Sequence, residues 1–173
     1  DNNLIATINI EDQLKSSVND VIEEITQQNI TTNLLSGDKE HKCDSVSDRI
    51  KFSSVFSEKL PDEKLKIISS LENTAMVGDG INDAPSLSKA DVGISVGGAS
   101  SIAVQSADIV LLNKNNLNQL VDAFKISKHT YKTIKQNLFW AFAYNIVAIP
   151  IAAMGYLNPM WGALFMAFSD VIV

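Results

Sequence analysis

Two aspartates, Asp79 and Asp83, stand four residues apart in the stretch "MVGDGINDAP", residues 76–85, with Gly78, Gly80 and Asn82 between and beside them. Carboxylates this close repel each other unless something positive sits between them. Oxygen ligands in that number suit a hard cation such as Mg2+, which keeps several waters and takes one or two carboxylates together with phosphate oxygens. Glycines on either side of Asp79 let the backbone turn sharply and let a ligand approach. The same residue types also build a plain surface turn, in which Asp and Asn bond to their own backbone. The ten residues alone leave both readings open.

The elements that must position these carboxylates can be read from the chain around them. "TAMV" (74–77) is a short apolar run of strand type, and "NDAPSLSKAD" begins as a capped turn and continues as a short helix. The carboxylates therefore project from the C-terminal end of a strand, where open α/β sheets bind ligands. Upstream, "LIATINI" is strand-like, and "DQLKSSVNDVIEEITQQ" places Leu14, Val18, Val21, Ile22 and Ile25 at helical spacing. "ITTNLL" is a second strand, ending at Ser36-Gly37-Asp38. A short helix, the strand "FSSVF" and the helix "PDEKLKIISSL" follow, the last with Pro61 in its first turn. "VGISV" and "ADIVLL" are again strand-like. Strands alternating with helices predict an α/β fold with a Rossmann-like parallel sheet flanked by helices.

Composition narrows the function classes. The net charge of the 173 residues is −6, which argues against a nucleic-acid partner. The single cysteine, Cys43, leaves no disulfide framework and no cysteine metal cage, and His41 and His129 are equally isolated. The opening "DNNLIATINIED" reads as an internal strand, so the sequence is expected to be part of a longer polypeptide.

The last third differs in kind. Residues 116–136 read as an amphipathic connecting helix on which Lys125, Lys128, Lys132 and Lys135 share one face. "NLFWAFAYNIVAIPIAAMGYL" follows, about 21 residues without a charge, long enough to cross a bilayer core. After an "NP" turn, "MWGALFMAFSDVIV" begins a second apolar helix that stops about a turn short of spanning. A buried helical hairpin is the alternative reading of the pair. Lysines just before the first span place the α/β part on the cytoplasmic side. Tyr144, Asn145, Ser169 and Asp170 are polar groups inside the spans; such groups mark a transport path or hydrogen-bond neighbouring helices together. Met166 lies one helical turn before Asp170, on the same face.

Several of these stretches resemble one family. "MVGDGINDAPSLSKADVGISV" resembles the hinge motif of P-type ATPases and continues into "SADIVLL", as in their heavy-metal members. "LLSGDK" is similar to their Thr-Gly-Asp motif, and "LPDEKLKII" to the segment with the invariant lysine. "NLFWAFAYN" and "MAFSD" resemble the last two membrane helices of copper(I)-transporting members. The resemblance implies a haloacid-dehalogenase-type phosphorylation domain over residues 1–115, a connecting helix over 116–136 and two membrane helices over 137–173, the second truncated. It implies an ATP-driven pump working through an aspartyl-phosphate, with Asp79 as a Mg2+ ligand and Asn82 and Asp83 supporting the phosphate site. Lys64 would neutralise the transferring phosphoryl group, Ser36 and the Gly37 amide would bind its oxygens, and Asp38 of the same motif is expected among the catalytic residues. Tyr144, Asn145, Met166, Ser169 and Asp170 would line the path of the transported Cu+. The expected partners are the heavy-metal ion, the lipid bilayer and the rest of the same pump polypeptide, in a multi-pass protein of the bacterial inner membrane.

Three departures accompany the resemblance. The Asp-Lys-Thr-Gly-Thr motif that carries the phosphorylated aspartate does not occur in these residues, nor does a nucleotide-binding insertion. Ser36 stands for the usual Thr and keeps the hydroxyl. Asp170 stands where copper members carry a second Ser; a carboxylate is a harder ligand than copper(I) prefers, whereas the Met166 thioether suits it. Copper(I) export is the expected activity. A zinc(II) or silver(I) pump of the same family, or a soluble haloacid-dehalogenase-type phosphatase, are the alternatives.

Overall fold

Short apolar strands interrupted by polar, Ser- and Asp-rich turns give an alternating β/α chain. A computed structural model describes residues 14, 17–113, 116–156, 158, 160–164 and 167. The elements are α1 (Val18–Gln27), β1 (Asn33–Leu35), α2 (Glu40–Ser47), β2 (Ser54–Phe56), α3 (Pro61–Ser70), β3 (Ala75–Gly78), α4 (Ala84–Lys89), β4 (Val92–Ser95), α5 (Ser101–Gln105), β5 (Ile109–Val110) and α6 (Asn118–Ala153). One 3-10 turn, Ile81–Asp83, joins β3 to α4.

Every strand pair is parallel, as the alternation requires. β1 runs beside β2, with Leu34 opposite Val55. β4 lies between β3 and β5, with Met76 opposite Gly93 and Ile94 opposite Ile109. The described strands form two sheets, since no hydrogen-bonded strand joins β1 to β3 among the described residues. The expected strand at "LIATINI" lies outside the described residues.

One buried cluster joins α3, β3, α4 and α5. Ile68 of α3, Met76 of β3, Leu87 of α4 and Ala103 of α5 pack as one core, with Leu35 of β1 against it. Leu87 is fully buried and Ile94 nearly so; each contributes about 1.5–3 kcal/mol of apolar burial. The close approach of α4 to β4 depends on Gly93. A Cβ there would stand 2.5 Å from the Leu87 carbonyl oxygen, inside any tolerable contact.

Side chains from the turns fasten the strands. The Gly93 N–H donates to Asp108 Oδ2 at 2.8 Å, and the Asp108 N–H donates back to the Gly93 carbonyl at 2.8 Å. Asp91 and Thr74 make the same kind of clasp one strand earlier, with the Thr74 N–H donating to Asp91 Oδ2 at 2.7 Å. At α3, Glu63 reaches back to accept from the Leu60 N–H at 2.9 Å. That is half of a capping box, because Leu60 has no side-chain acceptor to return the bond.

Two expectations are corrected. Leu14 is not helical and α1 starts at Val18; Ser17 before it uses its hydroxyl to accept from the Leu117 N–H at 3.3 Å, a tertiary bond that the periodicity of the segment does not show. α5 was not foreseen. It is five residues long, too short to display a period, and the Ser100 hydroxyl caps it by accepting from the Ala103 N–H at 3.2 Å.

The chain divides into two compact units, Asp1–Val121 and Asp122–Val173. α6 runs for 36 residues through Pro150 without a break, merging the expected connecting helix and first span into one element. It is the one described helix long and apolar enough to cross a membrane, and the apolar window is entirely unburied. Gly155, at φ +76°, ends it. The Gly155 N–H donates to the Ala152 carbonyl and the Tyr156 N–H to the Ile151 carbonyl, the paired bonds of a Schellman C-cap. Beyond it, residues 160–164 are again helical.

Candidate functional site

The loop after β3 is built to bring Asp83 back over the strand it follows. The Val96 N–H donates to the Gly78 carbonyl at 3.2 Å and the Ser100 N–H to the Asp79 carbonyl at 3.0 Å, which fixes the strand end. The Asp83 N–H then donates to the Gly80 carbonyl at 3.2 Å, closing the 3-10 turn. This folds the Asp83 side chain onto Gly78. A Cβ on Gly78 would stand 2.9 Å from the Asp83 Cβ, so this position needs glycine for space.

Lys64, from the first turn of α3, reaches this loop. Its Nζ donates to Asp83 Oδ1 at 2.8 Å, with the two side chains 12% and 16% exposed. Within the described chain, then, the positive group beside the paired carboxylates is Lys64, and it serves Asp83. Asp79 is exposed, and its carboxylate has no hydrogen-bond or ion-pair partner among the described residues. Asn82, in the 3-10 turn, is exposed as well.

Ser36, Gly37 and Asp38 form a second group at the C-terminal end of β1. The Ser36 hydroxyl donates to Asp38 Oδ2 at 3.0 Å and accepts from the Asp38 N–H at 3.1 Å. The Ser36 N–H donates to the Phe56 carbonyl and the Lys59 N–H to the Ser36 carbonyl, tying this turn to the segment that leads into α3. A Cβ on Gly37 would crowd the Lys59 carbonyl at 3.3 Å. Among the described residues, the hydrogen bonds of this group run within it, to residues 56–59 and from the Cys43 thiol to the Asp38 carbonyl, and Lys42 lies 3.9 Å from the Asp38 carboxylate; none of these contacts involves Lys64, Asp79 or Asp83.

The arrangement suits oxyanion chemistry more than a closed metal cage. Among the described residues no three His, Cys, Asp or Glu side chains converge as a metal site. One uncommitted carboxylate, Asp79, next to a lysine–carboxylate pair fits a cation such as Mg2+, which binds through one or two carboxylates and completes its shell with water and phosphate oxygens. It would not hold a metal that needs an all-protein cage.

In the second unit, Tyr144 is half-buried and Asn145 exposed on α6. The Asn145 side-chain amide donates to the Ala141 carbonyl of its own helix at 2.8 Å. Met166, Ser169 and Asp170 lie outside the described residues. Sequence reasoning did not single out Gly93, Asp91 or Asp108, which fix the strand ends behind the site. Their types, a glycine in a strand and two aspartates just before strands, were the available signal.

Comparison with known proteins bears on the whole chain. The sequence model of the haloacid dehalogenase-like hydrolases matches residues 1–91, and a second model of that description matches residues 63–124. A copper-exporting P-type ATPase of Staphylococcus haemolyticus is 41% identical over 100% of this chain and 22% of its own length. A probable copper-importing P-type ATPase A of Enterococcus hirae is 39% identical over 98% of this chain and 24% of its own length. Among solved structures, a zinc-transporting PIB-type ATPase in the E2.Pi state superposes with a TM-score of 0.88 at 26% identity, over 94% of this chain and 27% of that one. The chain thus spans about a quarter of the length of these relatives.

Proposed function

The chain belongs to the P-type ATPases, within the haloacid dehalogenase-like hydrolases, and on that premise we propose that it is part of the phosphorylation domain together with the last two membrane helices of an ATP-driven copper(I) exporter. The observation that carries the reading is the Lys64–Asp83 pair folded over Gly78, beside the uncommitted Asp79. Phosphoryl transfer needs positioning and charge neutralisation more than covalent machinery. In this reading the nucleophilic aspartate comes from elsewhere in the pump polypeptide and forms an aspartyl-phosphate. Asp83 holds the Lys64 ammonium in place, and that ammonium neutralises the transferring phosphoryl group. The Ser36 hydroxyl turns from Asp38 to donate to a phosphoryl oxygen, and the Gly37 N–H donates to another. Asp79, with Asn82 beside it, would hold Mg2+, which supplies further charge neutralisation when bound.

Copper(I) is favoured as cargo by the 41% identity to a copper-exporting relative and by the Met166 thioether. The Asp170 carboxylate is the observation on the other side, and favours zinc(II) as the second reading. In the full-length pump, Asp79→Asn is expected to lower phosphoenzyme formation from ATP by on the order of 100-fold; near-normal phosphorylation would refute its role. Copper(I) is expected to stimulate ATP hydrolysis, Met166→Ala to reduce that stimulation, and Asp170→Ser to leave it largely intact. Stimulation by zinc(II) alone, abolished by Asp170→Ser, would replace copper with zinc and leave the pump class standing.

A further inference from the structure

The lysines of α6 form a row that the phosphate chemistry does not use. Lys125, Lys128, Lys132 and Lys135 lie within an arc of about 80° at 100° per residue. From residue 123 to residue 169 these are the only charged side chains, giving a net +4 in a chain whose total is −6. Lys128 and Lys132 are exposed and make no ion pair among the described residues. The Lys135 ammonium sits 4.5 Å from the centroid of the Tyr131 ring, an amphipathic pairing suited to the water–lipid boundary.

We propose that this row binds the headgroups of anionic phospholipids at the leaflet where α6 enters the membrane. The inference rests on the reading of α6 as a membrane span and not on which ion is carried. Two observations select a lipid surface over an acidic protein face: the charge is all of one sign, and the row runs without interruption into the uncharged stretch that starts at Asn137. Distance along the helix supports the assignment. At 1.5 Å per residue, Lys135 lies about 3 Å, Lys132 about 7.5 Å and Lys128 about 13 Å above Asn137. The headgroup layer of one leaflet is about 5–7 Å deep. Lys135 and Lys132 therefore reach the phosphates directly, while Lys128 acts through the surface potential, which fades over about 8–10 Å. Each lysine close to the surface contributes roughly fivefold to the attraction, so the effect should grade as Lys135 and Lys132 above Lys128.

The test uses the full-length protein in bilayers of equal phosphatidylglycerol and phosphatidylcholine, extracted in mild detergent, with the retained lipids counted by mass spectrometry. The wild type should retain phosphatidylglycerol in preference. Lys128→Gln, Lys132→Gln and Lys135→Gln together should lower that preference by about fivefold or more, as should raised salt. A charge-matched variant of three lysines in the first unit, Lys51→Gln, Lys66→Gln and Lys89→Gln, should keep it. An unchanged preference in the α6 variant, or an equal loss in the matched variant, overturns the proposal while leaving the span intact. Release of the wild type from membranes by alkaline carbonate, without detergent, would overturn the lipid proposal and the span together.

Discussion

At the scale of single residues, the site depends on one ion pair held where water is scarce. A buried pair adds little net stability against an apolar replacement, yet removing one partner strands the other. Lys64 and Asp83 are mostly buried and 2.8 Å apart, so each single substitution leaves an uncompensated charge. Lys64→Met is expected to destabilise the fold by about 1–3 kcal/mol. Lys64→Met with Asp83→Leu should recover much of that loss. Urea denaturation across the double-mutant cycle measures the coupling, and strictly additive effects would show that the pair does not interact in solution. In the proposed function both charges serve the phosphate site, so catalysis should not recover in the double variant. Asp79 contrasts with this pair. It has no partner among the described residues, so Asp79→Asn should shift the denaturation midpoint very little while it impairs phosphorylation.

At the scale of elements, the loop after β3 is aimed by what lies behind it. α4 packs its fully buried Leu87 against β4, and the backbone at Gly93 comes too close to the Leu87 carbonyl for any side chain. Gly93→Ala must push α4 away from the sheet, and α4 follows directly from Asp83. Overpacking of this kind costs about 1–3 kcal/mol, with the lower thermal midpoint as the readout. If the loop handles phosphate as proposed, the displacement should also weaken phosphoenzyme formation. A Gly93→Ala variant of wild-type stability would mean that α4 gives way at no cost. The Asp108 carboxylate that accepts from the Gly93 N–H makes a second handle on the same element. Asp108→Ala would leave that N–H unpaired, at a cost of about 1–3 kcal/mol.

At the scale of the whole molecule, the two compact units differ in character: an α/β unit with the Asp79–Asp83 loop, and a helical unit whose long helix is apolar and unburied along its window. If α6 spans a membrane as proposed, charge placement sets the expected orientation, with the lysines before residue 137 on the cytoplasmic side. In intact cells carrying the full-length protein, a cysteine at Asn118 should be labelled only when the cytoplasm is made accessible. A cysteine at Asn158 should be labelled from outside. Equal labelling at both positions would favour a buried hairpin over a span.

Much of this was legible in the sequence because it depends on local order. The alternation of short apolar runs with helical periods dictates parallel pairing, since a helix returning over the sheet leaves each strand running the same way. The spacing of Gly78, Asp79, Gly80 and Asp83 marks a tight turn at a strand end, and the uncharged stretch after Asn137 marks a long apolar helix, both without reference to tertiary contacts. Only the tertiary structure decided which positive group meets which carboxylate. Lys64 and Asp83 are nineteen residues apart in sequence, and their 2.8 Å contact exists because α3 and the loop after β3 share the Ile68–Met76–Leu87 core. It likewise decided that Gly93 has no room for a Cβ unless α4 moves, that the Ser17 side chain caps nothing in its own helix but bonds Leu117, and that five residues after Ser100 are helical. The physical reason is common to all of these: sequence periodicity reports which face of an element is apolar, while the partner of a given side chain is fixed only when distant segments are brought together by packing.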